Sequence, residues 1–146
     1  MKKIRIILML GIPIILLLVF CNKKGVYPLS QSENTIEEIE IVSIEDSRIV
    51  SSGSFDRIVT ISTIDKNQYD DFLSEFYCLG CKDLFGPSQE VIEGEAIRFT
   101  YSDGSFELVT AESGFYYSAD KEWSCPAYAF DYDEFHEFVY LWGRED

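Results

Sequence analysis

Two alternating runs meet at an Asp-Gly pair in the second half of the chain. Ile97, Phe99 and Tyr101 alternate with Arg98 and Thr100, and Phe106 and Leu108 alternate with Glu107 and Val109. A side-chain period of two belongs to strands with distinct faces. Ser102-Asp103-Gly104-Ser105 lies between them. Asp-Gly favours the type I′ turn, whose two central residues both need positive φ. The spacing predicts an antiparallel hairpin closed by two residues, with Glu107 on the polar face.

The other elements are read around this hairpin. In Ile36–Ile44, Ile39 and Ile41 alternate with Glu38 and Glu40, which predicts a first strand. Arg57–Ile64 is dense in β-branched residues and predicts a second. The period then changes. Tyr69, Phe72, Leu73 and Phe76 fall at i, i+3, i+4 and i+7, one stripe of a helix over Lys66–Leu79. Asp65 and Gln68 offer a capping-box-like start, and Gly80 a stop. Phe115-Tyr116-Tyr117 and Tyr128-Ala129-Phe130 predict two short strands around a loop with Trp123 and Pro126. A closing helix starts at Asp131, with Glu134 completing a capping box, Phe135, Phe138, Val139 and Trp142 as its buried stripe, and Gly143 at its end. The order β-β-α-β-β-β-β-α gives an α+β fold. An antiparallel sheet of about five to six strands carries two amphipathic helices on one face and meets solvent on the other.

The first 24 residues stand apart from this pattern. Lys2, Lys3 and Arg5 precede an uncharged run, Ile6–Cys21, that is apolar all round and contains Pro13. A basic start followed by such a run is an export signal or membrane anchor. Leu18-Val19-Phe20-Cys21 resembles the lipobox of bacterial lipoproteins, with Phe20 where a small residue is usual. The resemblance implies lipidation at Cys21. An uncleaved signal-anchor is the second route and free secretion the third. All three place the remainder outside the cytoplasm, and the first two hold it on the outer face of the cell membrane. Residues 25–35 are polar and aperiodic and read as a tether. Residues 36–146 form the domain.

Charge sets the exclusions. Seven basic residues and all 26 acidic ones lie beyond residue 24, so the exported part carries a formal −19. A chain of this sign is repelled by nucleic acid, which is excluded as a partner. Cations or basic partners are attracted instead.

The layout resembles a group of small exported proteins of Gram-positive bacteria, lipoprotein-like and of unknown function. Phe85-Gly86-Pro87, the Ile97–Leu108 hairpin, Phe115–Tyr117 and Phe130-Asp131 with Phe135 carry the resemblance. It implies location and fold but no chemistry. The sheet-plus-helix layout is also similar to lactamase-inhibitor-like modules.

Catalytic signals are sparse. Cys78-Leu-Gly-Cys81 falls at a helix C-terminus, where the dipole disfavours a thiolate, so a redox role is not expected. Cys125 with Cys78 or Cys81 offers a disulfide; the same thiols with His136 offer a Cys₃His zinc set. His136 has no nucleophile elbow to serve. The acids of the last helix start have a sufficient cause in the helix dipole. No cofactor is implied. Tyr116, Tyr117, Trp123 and Tyr128 are the candidate binding surface, since exposed Tyr and Trp anchor interfaces. The expected protein is a membrane-anchored, non-enzymatic domain that binds a protein or envelope component. A metal-binding or thiol-sensing lipoprotein and an envelope hydrolase are the alternatives.

Overall fold

The computed structural model describes residues 24–46, 54–83, 93–125 and 128–144. The apolar run, Cys21 and Phe85-Gly86-Pro87 lie outside them. Among the described residues no helix is long and apolar enough to cross a membrane.

Six strands form one antiparallel sheet: β1 (Ile36–Ile44), β2 (Ile58–Thr63), β4 (Gly94–Tyr101), β5 (Phe106–Val109), β6 (Gly114–Tyr117) and β7 (Trp123–Ser124), in the order β2-β1-β4-β5-β6-β7. β3 (Lys82–Asp83) and β8 (Tyr128–Ala129) make a separate two-stranded ladder. Helices α1 (Tyr69–Leu79) and α2 (Tyr132–Trp142) follow β2 and β8. The chain is an α+β fold whose element order roughly follows the expected one, extended by the two-residue strands β3 and β7, the latter in the expected Trp123 loop.

Ile39 and Ile41 pair across the sheet with Phe99 and Ile97, and Ile97 with Val109. Together with Phe72, Phe76, Phe135, Phe138 and Val139 of the helices they form the main core. Burying each Phe contributes about 1.5–3 kcal/mol. Phe72 and Phe76 meet Phe138 at ring distances of 5.0 and 6.2 Å, which locks α1 against α2.

The opposite face is not left to solvent. Val42, Ile44, Ala96, Leu108, Phe115 and Cys125 form a second buried cluster there, edged by Phe55, Ile58, Phe106 and Tyr117. Phe55, from the β1–β2 connection, packs edge-on to Phe106 and Tyr117 at 4.8 and 4.9 Å. Glu40, expected outside, is buried on this face. Its carboxylate accepts from Arg98 and, at 2.8 Å, from Thr60 Oγ1, so the charge is paired as burial demands.

Local starts and turns also depart from expectation. The chain enters α1 through a 3-10 turn, Lys66–Gln68, and Asp65 makes no side-chain cap bond there. At α2, Asp131 Oδ1 does accept from Glu134 N at 3.2 Å, but the Glu134 carboxylate meets Lys24 Nζ at 3.1 Å. The β4–β5 connection is a three-residue loop. Tyr101 N donates to Ser105 O at 2.9 Å, and only Gly104 has positive φ, 83°. Asp103 Oδ1 accepts from Ser105 N and Oγ, a local bond that favours this turn over type I′.

Residues 25–35, expected to be a tether, are part of the fold. Gly25 exchanges two backbone hydrogen bonds with Cys81, at 2.7 and 2.8 Å. Tyr27 is 2% exposed and packs on Phe76, Tyr128 and Phe130. The strap closes over the end of the main core. Gly80 permits this crossing: its φ is 65°, and a Cβ there would lie 3.2 Å from Lys24 Cβ.

Candidate functional site

The expected aromatic surface is divided between the two sheet faces. Register pairs Tyr116 with Glu107 on the helix side, and Tyr117 with Phe106 on the other. Tyr116 is half-buried, and its hydroxyl accepts from Gln31 Nε2 at 3.2 Å. Tyr128 packs edge-on to Tyr27. Tyr117 belongs to the second cluster, where it stacks with Phe106 at 5.4 Å. Trp123 alone of the four is exposed, lying over Phe115 at 5.9 Å. Most of this set therefore serves packing.

The cysteines do not converge. Cys78, Cys81 and Cys125 are free; Cys78 is exposed, while Cys81 and Cys125 belong to different buried clusters. The expected disulfide is not formed. Burial pushes the Cys81 and Cys125 thiols above their ordinary pKa, which keeps them protonated. His136 Nδ1 lies 3.1 Å from Glu95 Oε2, and its ring packs on Tyr132. Among the described residues no group of three or more His, Cys, Asp or Glu side chains is placed to hold a metal ion. The Cys₃His set is not assembled.

A polar centre that the alternation hid lies under the strap. Glu107 is fully buried in the core-facing layer. Tyr27 Oη donates to its Oε1 at 2.7 Å. Tyr101 Oη and Ser30 N donate to its Oε2 at 2.8 and 2.9 Å. Three donors around one carboxylate satisfy a charge that burial alone would penalise. Gln31 extends the network to Ser105 and Asp103, each at 2.7 Å. The centre joins the N-terminal strap to β4 and β5.

Burial, and after it the Glu107 charge, push the Tyr27 and Tyr101 hydroxyls above the ordinary tyrosine pKa. The folded chain therefore keeps phenolic protons that an unfolded chain loses. This contribution is complete below the unfolded pKa of about 10 and is lost as pH rises through the folded values. In urea titrations, stability should fall above pH 10 by about 1.4 kcal/mol per pH unit for each of these tyrosines. Tyr101→Phe should lower that slope; an unchanged slope would contradict the assignment.

Among the described residues, one outward-facing groove that joins apolar and acidic side chains lies between α1 and α2. It has a volume of about 430 Å³, and its lining includes Glu75, Leu79, Glu134, Glu137, Phe138 and Leu141, with Cys78. Leu141 is 59% exposed at its mouth. Glu75 is oriented by Trp142 Nε1, which donates to its Oε2 at 2.9 Å. Leu141 and Glu134 flank the buried stripe of α2. Only the antiparallel pairing of α1 with α2 brought Glu75 and Cys78 opposite them.

No protein-family model, curated protein or solved structure matches this chain.

Proposed function

We propose that the chain is a membrane-anchored, extracytoplasmic interaction domain that binds a basic, amphipathic protein segment in the α1–α2 groove. The observation that carries the reading is an exposed Leu141 set in an apolar floor of Leu79 and Phe138, rimmed by Glu75, Glu134 and Glu137. A helix of the partner would lay its apolar side on that floor and its Lys or Arg residues on the rim. The formal −19 of the exported part would speed the approach of such a partner. The basic start and apolar run of residues 2–21 support the anchor, by Cys21 lipidation or as a signal-anchor. The reading is non-enzymatic: groove binding of this kind asks for shape and charge and for no reacting group.

A labelled helical peptide of Lys and Leu, titrated with the full chain, tests it. Glu134→Gln with Glu137→Gln should weaken binding about three- to tenfold, the usual worth of two exposed charge pairs. Asp120→Asn with Glu122→Gln removes the same charge from a distant turn and should leave binding unchanged. Equal losses in both pairs would reduce the interaction to general charge attraction and refute the groove.

A further inference from the structure

We infer that the domain is held in one orientation on the membrane, with the pole formed by the end of α1, the β3–β8 ladder and the start of α2 resting on the lipid surface. The inference builds on the anchoring reading above. Its physical basis is the shortness of the link. Gly25 is fixed to Cys81 by two backbone bonds, and only four residue steps separate it from Cys21, where the apolar run ends. An extended chain spans at most about 3.6 Å per residue, so Gly25 lies within about 14 Å of the anchor. An eleven-residue tether would allow every face to approach the lipid; a strap of this length favours the faces around Gly25.

That face suits an interface. Lys24, Gly80, Lys82, Ala129, Phe130 and Asp131 line one small concavity of about 200 Å³, which places them side by side. Val26 and Tyr132, next to it in sequence, are 63% and 60% exposed, an aliphatic and an amphipathic aromatic side chain directed at solvent. Tyrosine is favoured at the headgroup level. Lys24 and Lys82 stand against Asp83, Asp131, Asp133 and Glu134, two bases to four acids, where residues 24–146 carry eight to 26. Repulsion from anionic lipid is therefore reduced at this pole. The far ends of both helices, where Trp142 packs on Phe72, point away from it. An eleven-residue helix separates the two poles by about 16 Å.

Cys78, exposed on the last turn of α1, is a native probe of the near pole. Leu141→Cys in a Cys78→Ser background probes the far one. The full chain, in vesicles of three parts phosphatidylcholine to one part phosphatidylglycerol, is spin-labelled at each site and exposed to a lipid-confined and a water-confined relaxing agent. The label at 78 should respond to the lipid-confined agent and the label at 141 to the water-confined one. Val26→Asp with Tyr132→Asp should abolish the difference while the chain still floats with the vesicles. Equal responses at 78 and 141 in the unsubstituted strap, with flotation intact, overturn the orientation alone. Failure to float overturns the anchoring and the orientation with it.

Discussion

Glu107→Leu is expected to cost about 3–5 kcal/mol and to leave much of the population unfolded at ambient temperature. The leucine fits the volume but accepts no hydrogen bond. Tyr27 Oη, Tyr101 Oη and Ser30 N, all within 2.9 Å of the carboxylate, would lose their acceptor together. A buried donor left unsatisfied costs about 1–3 kcal/mol. Glu107→Gln separates charge from shape. It keeps one acceptor oxygen and turns an amide NH₂ toward a donor, so its loss should be smaller, about 1–3 kcal/mol. Urea unfolding followed by circular dichroism reads both variants. A Leu variant within about 0.5 kcal/mol of the parent would show that the network contributes nothing net, as some buried ion clusters do.

Why this residue escaped a sequence reading is a matter of sheet faces. Period two in Phe106–Val109 separates Phe106 and Leu108 from Glu107 and Val109, but it does not say which side is covered. When one face meets solvent, the polar set points out. Here both faces are covered, and the Glu107–Val109 side meets the helices and the strap. Glu40 was misplaced for the same reason: its side of β1 meets Arg98 and the second cluster. The helices were legible because their stripes are long and need no partner to define them. Phe72, Leu73 and Phe76 are buried as spaced, and so are Phe135, Phe138 and Val139. The hairpin was legible as a hairpin but not as a turn type, because the choice rests on Asp103 bonding Ser105, an interaction within the loop. The groove was not legible: no pattern singles out Glu75 or Leu141, and the juxtaposition of Glu75 with Glu134 and Glu137 depends on packing between elements some sixty residues apart.

Tyr27 was the least legible residue of all. It sits in a polar stretch beside Pro28, with no period to mark it as core, and its acceptor lies 80 positions away. The structure gives it the environment of a central core residue, so its removal should have a central residue's consequence. Tyr27→Ala deletes a ring that packs on Phe76, Tyr128 and Phe130 and withdraws one donor from Glu107. The expected loss is about 3–5 kcal/mol. Tyr27→Phe keeps the ring and should lose only about 1–2 kcal/mol, from the missing hydrogen bond to a charged acceptor. A chain beginning at Lys24 should unfold cooperatively. A chain beginning at Ser32 lacks Gly25, Tyr27 and Ser30, which uncovers Cys81, Phe76 and Glu107 together; it should show no cooperative transition in calorimetry. A free tether predicts the reverse, with both chains and both Tyr27 variants within about 0.5 kcal/mol of one another, as exposed sites usually are. The two accounts differ by several kcal/mol at one residue. On the anchoring proposed above, the same strap would also carry the attachment, so loss of Tyr27 should loosen the fold and the attachment geometry in a single step.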